Sequence, residues 1–144
     1  MIKRVKALNM KEFVSRHDPS LLLIIEKEFP GTRCVGGKYS AEGHTITLYQ
    51  EDIEIQCQRS LGSLDRLEEY TWIILTHEIG HALDKELTVL SEELWSTGNP
   101  KILYQIEVNA WGIAAELTPF IDLDLFTFIK DESLTHCSKR LLVG

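Results

Sequence analysis

The sequence predicts an α+β fold in a single domain of 144 residues, with a short β-sheet and a buried helix packed on a second helix. Three observations lead there. His44-Thr45-Ile46-Thr47-Leu48-Tyr49 alternates with the period of a strand and follows the turn pairs Gly36-Gly37 and Glu42-Gly43. Tyr70 to Asp84 is apolar almost all round at helical spacing, the pattern of a helix enclosed by protein. Gly98-Asn99-Pro100 is a helix start, with Asn as N-cap and Pro at the first helical position, and Thr118-Pro119 is a stop.

Taken in order, Asn9-Met10-Lys11-Glu12 has the form of an N-cap with an acidic residue at the third position. A helix is expected from Met10 to about Glu28, with Asp18-Pro19 as a point where it could split and Pro30-Gly31 as its end. Residues Cys34 to Tyr49 read as a β-hairpin with His44 as a surface or turn histidine. Its second strand is either a plain core strand or one that binds an extended substrate through backbone hydrogen bonds. Glu51 to Ser63 reads as a polar connection, with a short strand or turn at Ile53 to Ile55. The buried helix is expected to start near Ser63 or Leu64 and run to about Glu86. Leu87 to Gly98 reads as a link with one helical turn around Ser91 to Trp95. The next helix covers Pro100 to Leu117, and Asp122 to Lys130 forms one more short helix. Asp131 to Gly144 is left unassigned, and no repeat or interdomain linker is seen.

Composition excludes several classes. A hydrophobic fraction of 44% and a charged fraction of 26% are those of a globular domain with a core. The formal net charge of -7 argues against direct binding of nucleic acid or anionic membrane, because neutralising phosphate needs a basic face. Met1 to Met10 is basic but carries no apolar stretch behind it, so no signal peptide is expected. The longest aliphatic run, Leu21 to Ile25, is too short to span a bilayer. Cys34, Cys57 and Cys137 are odd in number and lack paired spacing, so they read as reduced thiols in a cytoplasmic protein.

The buried helix carries His77-Glu78-Ile79-Gly80-His81. Residues i and i+4 lie on one helix face, one turn apart, so His77 and His81 can aim two imidazoles at one metal ion. Glu78 sits about 100° round the helix, off the metal but within reach of an attacking water. Two nitrogen ligands and a carboxylate base are the zinc-hydrolase arrangement. Unpartnered polar groups on so apolar a helix would be costly, and a metal supplies partners.

A catalytic zinc takes three side-chain ligands and keeps a fourth position open. Glu107 is the best third ligand. It stands mid-helix with Ala110 and Ala114 on its own face, small residues that let this helix approach the first. Asp84, three residues after His81, is a rival, but one straight helix rarely supplies three ligands. It is read as a partner of a ligand histidine instead. Glu116 is off the Glu107 face and is expected to be exposed.

His77-Glu78-Ile79-Gly80-His81-Ala82-Leu83-Asp84, followed by Glu107-x-x-Ala110-x-x-x-Ala114-x-x-Leu117-x-Pro119, resembles the ImmA/IrrE family of small zinc metallopeptidases. The resemblance covers about Ile73 to Pro119. It implies a small zincin-like fold, Zn2+ held by His77, His81 and Glu107, and Glu78 as catalytic base. It also implies a protein or peptide substrate such as the repressor of a phage or mobile element. The chain departs from the pattern in its shorter Leu-to-Pro spacing, in having no DNA-binding domain, and at Trp111. Many zincins with a glutamate third ligand carry at that position an acidic residue that orients a histidine. Either Asp84 or Asn109 takes over that role, or the chain is a catalytically weak binding and regulatory module. A more distant resemblance, through the same His-Glu-x-Gly-His helix, is to the catalytic domain of lethal-factor-like toxins.

The chemistry implied is peptide hydrolysis, with zinc acidifying a water to a pKa of about 7 and polarising the scissile carbonyl. Glu78 would take the water's proton and pass it to the leaving amine. Tyr104, one turn before Glu107, and His136 are candidate donors to the oxyanion.

Overall fold

A computed structural model describes residues 7–143, with side chains for residues 9–137. The described chain is mixed α+β: α1 (Ala7–His17), β1 (Leu22–Glu26), β2 (Gly37–Ser40), β3 (Thr45–Tyr49), α2 (Gln50–Leu61), α3 (Leu67–Leu83), α4 (Leu87–Thr97), α5 (Pro100–Leu117) and α6 (Leu123–Val143). The chain gathers into two compact units, Met1–Ile79 and Gly80–Gly144, which divide inside α3.

The first unit holds the sheet, ordered β1-β3-β2. β1 runs parallel to β3 with Leu23 beside Ile46, and β2 runs antiparallel to β3 with Gly37 beside Leu48. Leu23, Ile46 and Leu48 are buried on its inner face, and the same unit buries Met10 and Val14, one turn apart on α1, and Ile73, Leu75 and Ile79 of α3. Phe13 and Trp72 meet edge to face at 5.2 Å.

The helix expected over residues 10–28 ends at His17, and its second half is a strand. Pro19 disfavours helical angles at Asp18. The Asp18 carboxylate then accepts from the Ser20 N–H at 2.9 Å and the Ser20 hydroxyl at 2.6 Å, closing a turn. Beyond it, burial alternates from Leu21 to Ile24, as in a strand with one face in the core. The alternation is invisible in the sequence because the outward residues, Leu22 and Ile24, are aliphatic too; they stand 57% and 44% exposed.

The β2–β3 hairpin forms as expected, with His44 in its turn at φ 48°, in the left-handed region. His44 is held on both ring nitrogens, Nε2 at 2.7 Å from the Asp18 carboxylate and Nδ1 at 2.7 Å from the Tyr39 hydroxyl. The carboxylate only accepts, so Nε2–H donates to it and Nδ1 accepts from Tyr39. The bonds from Ser20 first and His44 second hold the Asp18 carboxyl down at about 2, against an ordinary 3.8. The folded value lies below the unfolded one, so the resulting stability is present above about pH 4 and is lost as pH falls through about 2. The wild type should exceed Asp18→Asn in urea midpoint at pH 5, with the gap closing between pH 4 and 2. A gap independent of pH would refute this.

The polar connection expected over 51–63 is instead α2. Asp52, Ile53 and Cys57 are its buried residues, and the stripe is too narrow to announce a helix. Gly62 caps it at φ 75° with its N–H on the Gln58 carbonyl. The buried Asp52 carboxylate accepts from the backbone N–H of Phe29 (3.1 Å) and Val35 (2.8 Å), fastening the loop before β2 to the helix. α3 starts later than expected, at Leu67, behind a turn in which Ser63 Oγ accepts from the Asp65 N–H. It stops at Leu83, where Asp84 accepts from the Glu86 N–H.

In the second unit, α4 is a full helix where the sequence predicts one turn. It has no fully buried residue: its apolar stripe, Leu87, Leu90 and Leu94, is half-buried and its Trp95 is 92% exposed. α5 runs from Pro100 to Leu117 as expected, with Asn99 Oδ1 accepting from the Lys101 N–H at 3.0 Å. α6 continues well past Lys130. Leu125, Phe126 and Ile129 are buried, Trp111 meets Phe126 edge to face at 5.6 Å, and the Trp111 indole N–H donates to Ser133 Oγ at 3.3 Å. Among the described residues no helix is long and apolar enough to cross a membrane.

Candidate metal centre

The last two turns of α3 carry the site. Ligand atoms of His77, Glu78 and His81 all lie within 4.8 Å of one another, which makes this a group that could hold a metal ion. Among the described residues no other group of three or more His, Cys, Asp or Glu side chains is so placed. The three side chains are only 8–12% exposed. His77 Nδ1 lies 3.3 Å from Glu78 Oε2. The carboxylate that spacing places clear of the ion therefore belongs to the same cluster as the two rings.

Glu107, on α5, is not one of that group of three but meets His81. Its Oε2 lies 3.0 Å from His81 Nε2, and its side chain is 17% exposed. Two ligands on the arms of a tetrahedral zinc, each about 2.0–2.1 Å long, stand about 3.3 Å apart. The observed separation is close to that edge.

Gly80 is what lets α5 approach. A Cβ there would run into the Ala110 carbonyl oxygen and lie 2.9 Å from its carbon. Ala110 and Ala114 are wholly buried, so backbone packs on backbone just beside His81. Sequence reasoning finds the two alanines and misses their partner. The signal is present, since a mid-helix glycine costs about 1 kcal/mol relative to alanine and needs a reason.

Asp84 and Asn109, the two stand-ins for a histidine-orienting group, meet each other: Asn109 Nδ2 donates to Asp84 Oδ2 at 3.4 Å and to Glu86 Oε1 at 3.3 Å. Trp111, buried, anchors α6. Of the oxyanion candidates, Tyr104 is half-buried on α5 and His136 is exposed on α6; Glu116 is exposed as expected. No disulfide joins Cys34, Cys57 and Cys137, and burial pushes the Cys57 thiol up, as burial and then Asp52 do for Cys34. A raised thiol is a poorer metal ligand at neutral pH, because the thiolate is what binds.

No protein-family model, curated protein or solved structure matches this chain.

Proposed function

We propose that the chain is a zinc metallopeptidase of the ImmA/IrrE kind, with a zincin-like fold, acting in the cytoplasm on a protein partner such as a repressor. The observation that carries this reading is the 3.0 Å approach of the Glu107 carboxylate to His81 Nε2, beside a second imidazole one helical turn away. The donor set fits the ion: two imidazoles and a carboxylate, shielded from water, suit zinc better than the all-oxygen shells of calcium or magnesium.

In this reading His77, His81 and Glu107 hold the ion, and Glu78 takes the proton of the attacking water and delivers it to the leaving amine. Bound zinc would supply Lewis acidity for the water and the scissile carbonyl. The outer edge of β2, whose Gly37 lies against Ile74 and Glu78, is open to an extended peptide pairing by backbone hydrogen bonds. The net charge of -7 favours a protein partner over nucleic acid.

Purified wild type is expected to contain about one zinc per chain by elemental analysis, with His77→Ala and Glu107→Ala each retaining less than about a tenth of it. A wild type free of zinc, or variants as rich in metal as the wild type, would overturn the ligand assignment. Buried Trp111 supports a second reading, a zincin-shaped module that binds a partner without cutting it. Full biological activity of Glu78→Gln would favour that one.

A further inference from the structure

Gly36 and Gly37 read in the sequence as a turn pair, yet β2 begins at Gly37 and neither residue has a positive φ. A glycine in a strand weakens it and marks a close approach. At Gly37 the approach is visible. A Cβ would stand 3.1 Å from Ile74 Cγ2, 3.1 Å from Leu48 Cδ2 and 3.2 Å from Glu78 Cγ. These are three side-chain atoms, two of them on α3, at distances tighter than ordinary van der Waals contact. The bare backbone of β2 is thus the wall behind the γ-methylene of Glu78, which is buried. Leu48 is itself buried opposite in the sheet register, so it has little room to yield.

We propose that Gly37 is a positioning residue: the missing side chain on β2 seats the Glu78 side chain and fixes how far its carboxylate reaches. A methyl group at 37 would push Glu78 Cγ by a few tenths of an ångström, and carboxylate placement at that scale matters to proton transfer. The inference rests on the peptidase reading for its catalytic consequence and on packing alone for the seat.

Two measurements test it on the full chain. In urea unfolding of the metal-free protein, Gly37→Ala should raise the unfolding equilibrium constant about tenfold in the wild-type background. In the Glu78→Ala background the same change should be worth less by about twofold or more, because the crowding at Cγ is gone while that at Ile74 and Leu48 remains. On a peptide from a library that the wild type cuts, Gly37→Ala should reduce kcat about tenfold or more with KM changed less than about twofold and zinc content unchanged. Equal unfolding effects in the two backgrounds overturn the seat. A wild-type kcat in Gly37→Ala overturns the positioning role. A zinc-loaded wild type that cuts no peptide overturns the peptidase reading and the catalytic role together, while unequal unfolding effects would still uphold the seat.

Discussion

Glu78→Gln is expected, on the proposed peptidase reading, to slow peptide hydrolysis by about 10²–10⁴-fold, the usual contribution of a positioned general base. The amide matches the carboxylate in shape but cannot accept a proton at neutral pH. His77, His81 and Glu107 are untouched, so zinc content should stay at the wild-type level. Glu78 is buried with its Oε2 3.3 Å from His77 Nδ1, and the amide oxygen can keep that contact. The measurement is the initial rate on a cleaved library peptide, with metal content and thermal midpoint read on the same preparation. Hydrolysis at the wild-type rate would remove Glu78 from the chemistry. Hydrolysis lost together with zinc would make it a ligand instead, as its place in the His77–His81 cluster allows.

Gly80→Ala is expected to cost about 3 kcal/mol of stability or more, at or beyond the top of the range for overpacking a core. The added methyl would face the Ala110 carbonyl, and backbone on both helices leaves nothing flexible to yield. The other effects of alanine point the opposite way, since it is the better helix former by about 1 kcal/mol. A net loss therefore isolates the steric term. Relief comes only by moving α5 off the end of α3, which draws Glu107 away from His81 and should weaken zinc binding along with the fold. Denaturant unfolding with and without zinc checks both. Unchanged or increased stability would mean that the helices have slack at their crossing. Gly112, on the open side of α5, has nothing within 4 Å of where a methyl would stand, so Gly112→Ala should stabilise and serves as the control.

Legibility of the fold follows how strongly each segment carries its own pattern. α5 is legible to its ends because a cap, a proline and a stop are local chemistry. The hairpin is legible from its alternation. β1 and α2 mislead because their patterns are incomplete without partners. β1 is aliphatic on both faces and becomes a strand by pairing with β3. α2 has a narrow buried stripe and is fastened to the loop before β2 by a buried carboxylate, Asp52. α4 buries its Leu87, Leu90 and Leu94 face only by half.

The sequence by itself determined which groups are on offer: two histidines one turn apart, a carboxylate between them, and a glutamate on a later helix with small residues beside it. Those facts follow from helical periodicity and residue type, which act over a few residues. Only the tertiary structure decided that Gly80 and Ala110 meet, that Glu107 comes within 3.0 Å of His81, and that Gly37 of β2 lies against Ile74, Leu48 and Glu78. Such contacts join residues far apart along the chain, and close packing, which no local pattern encodes, selects them.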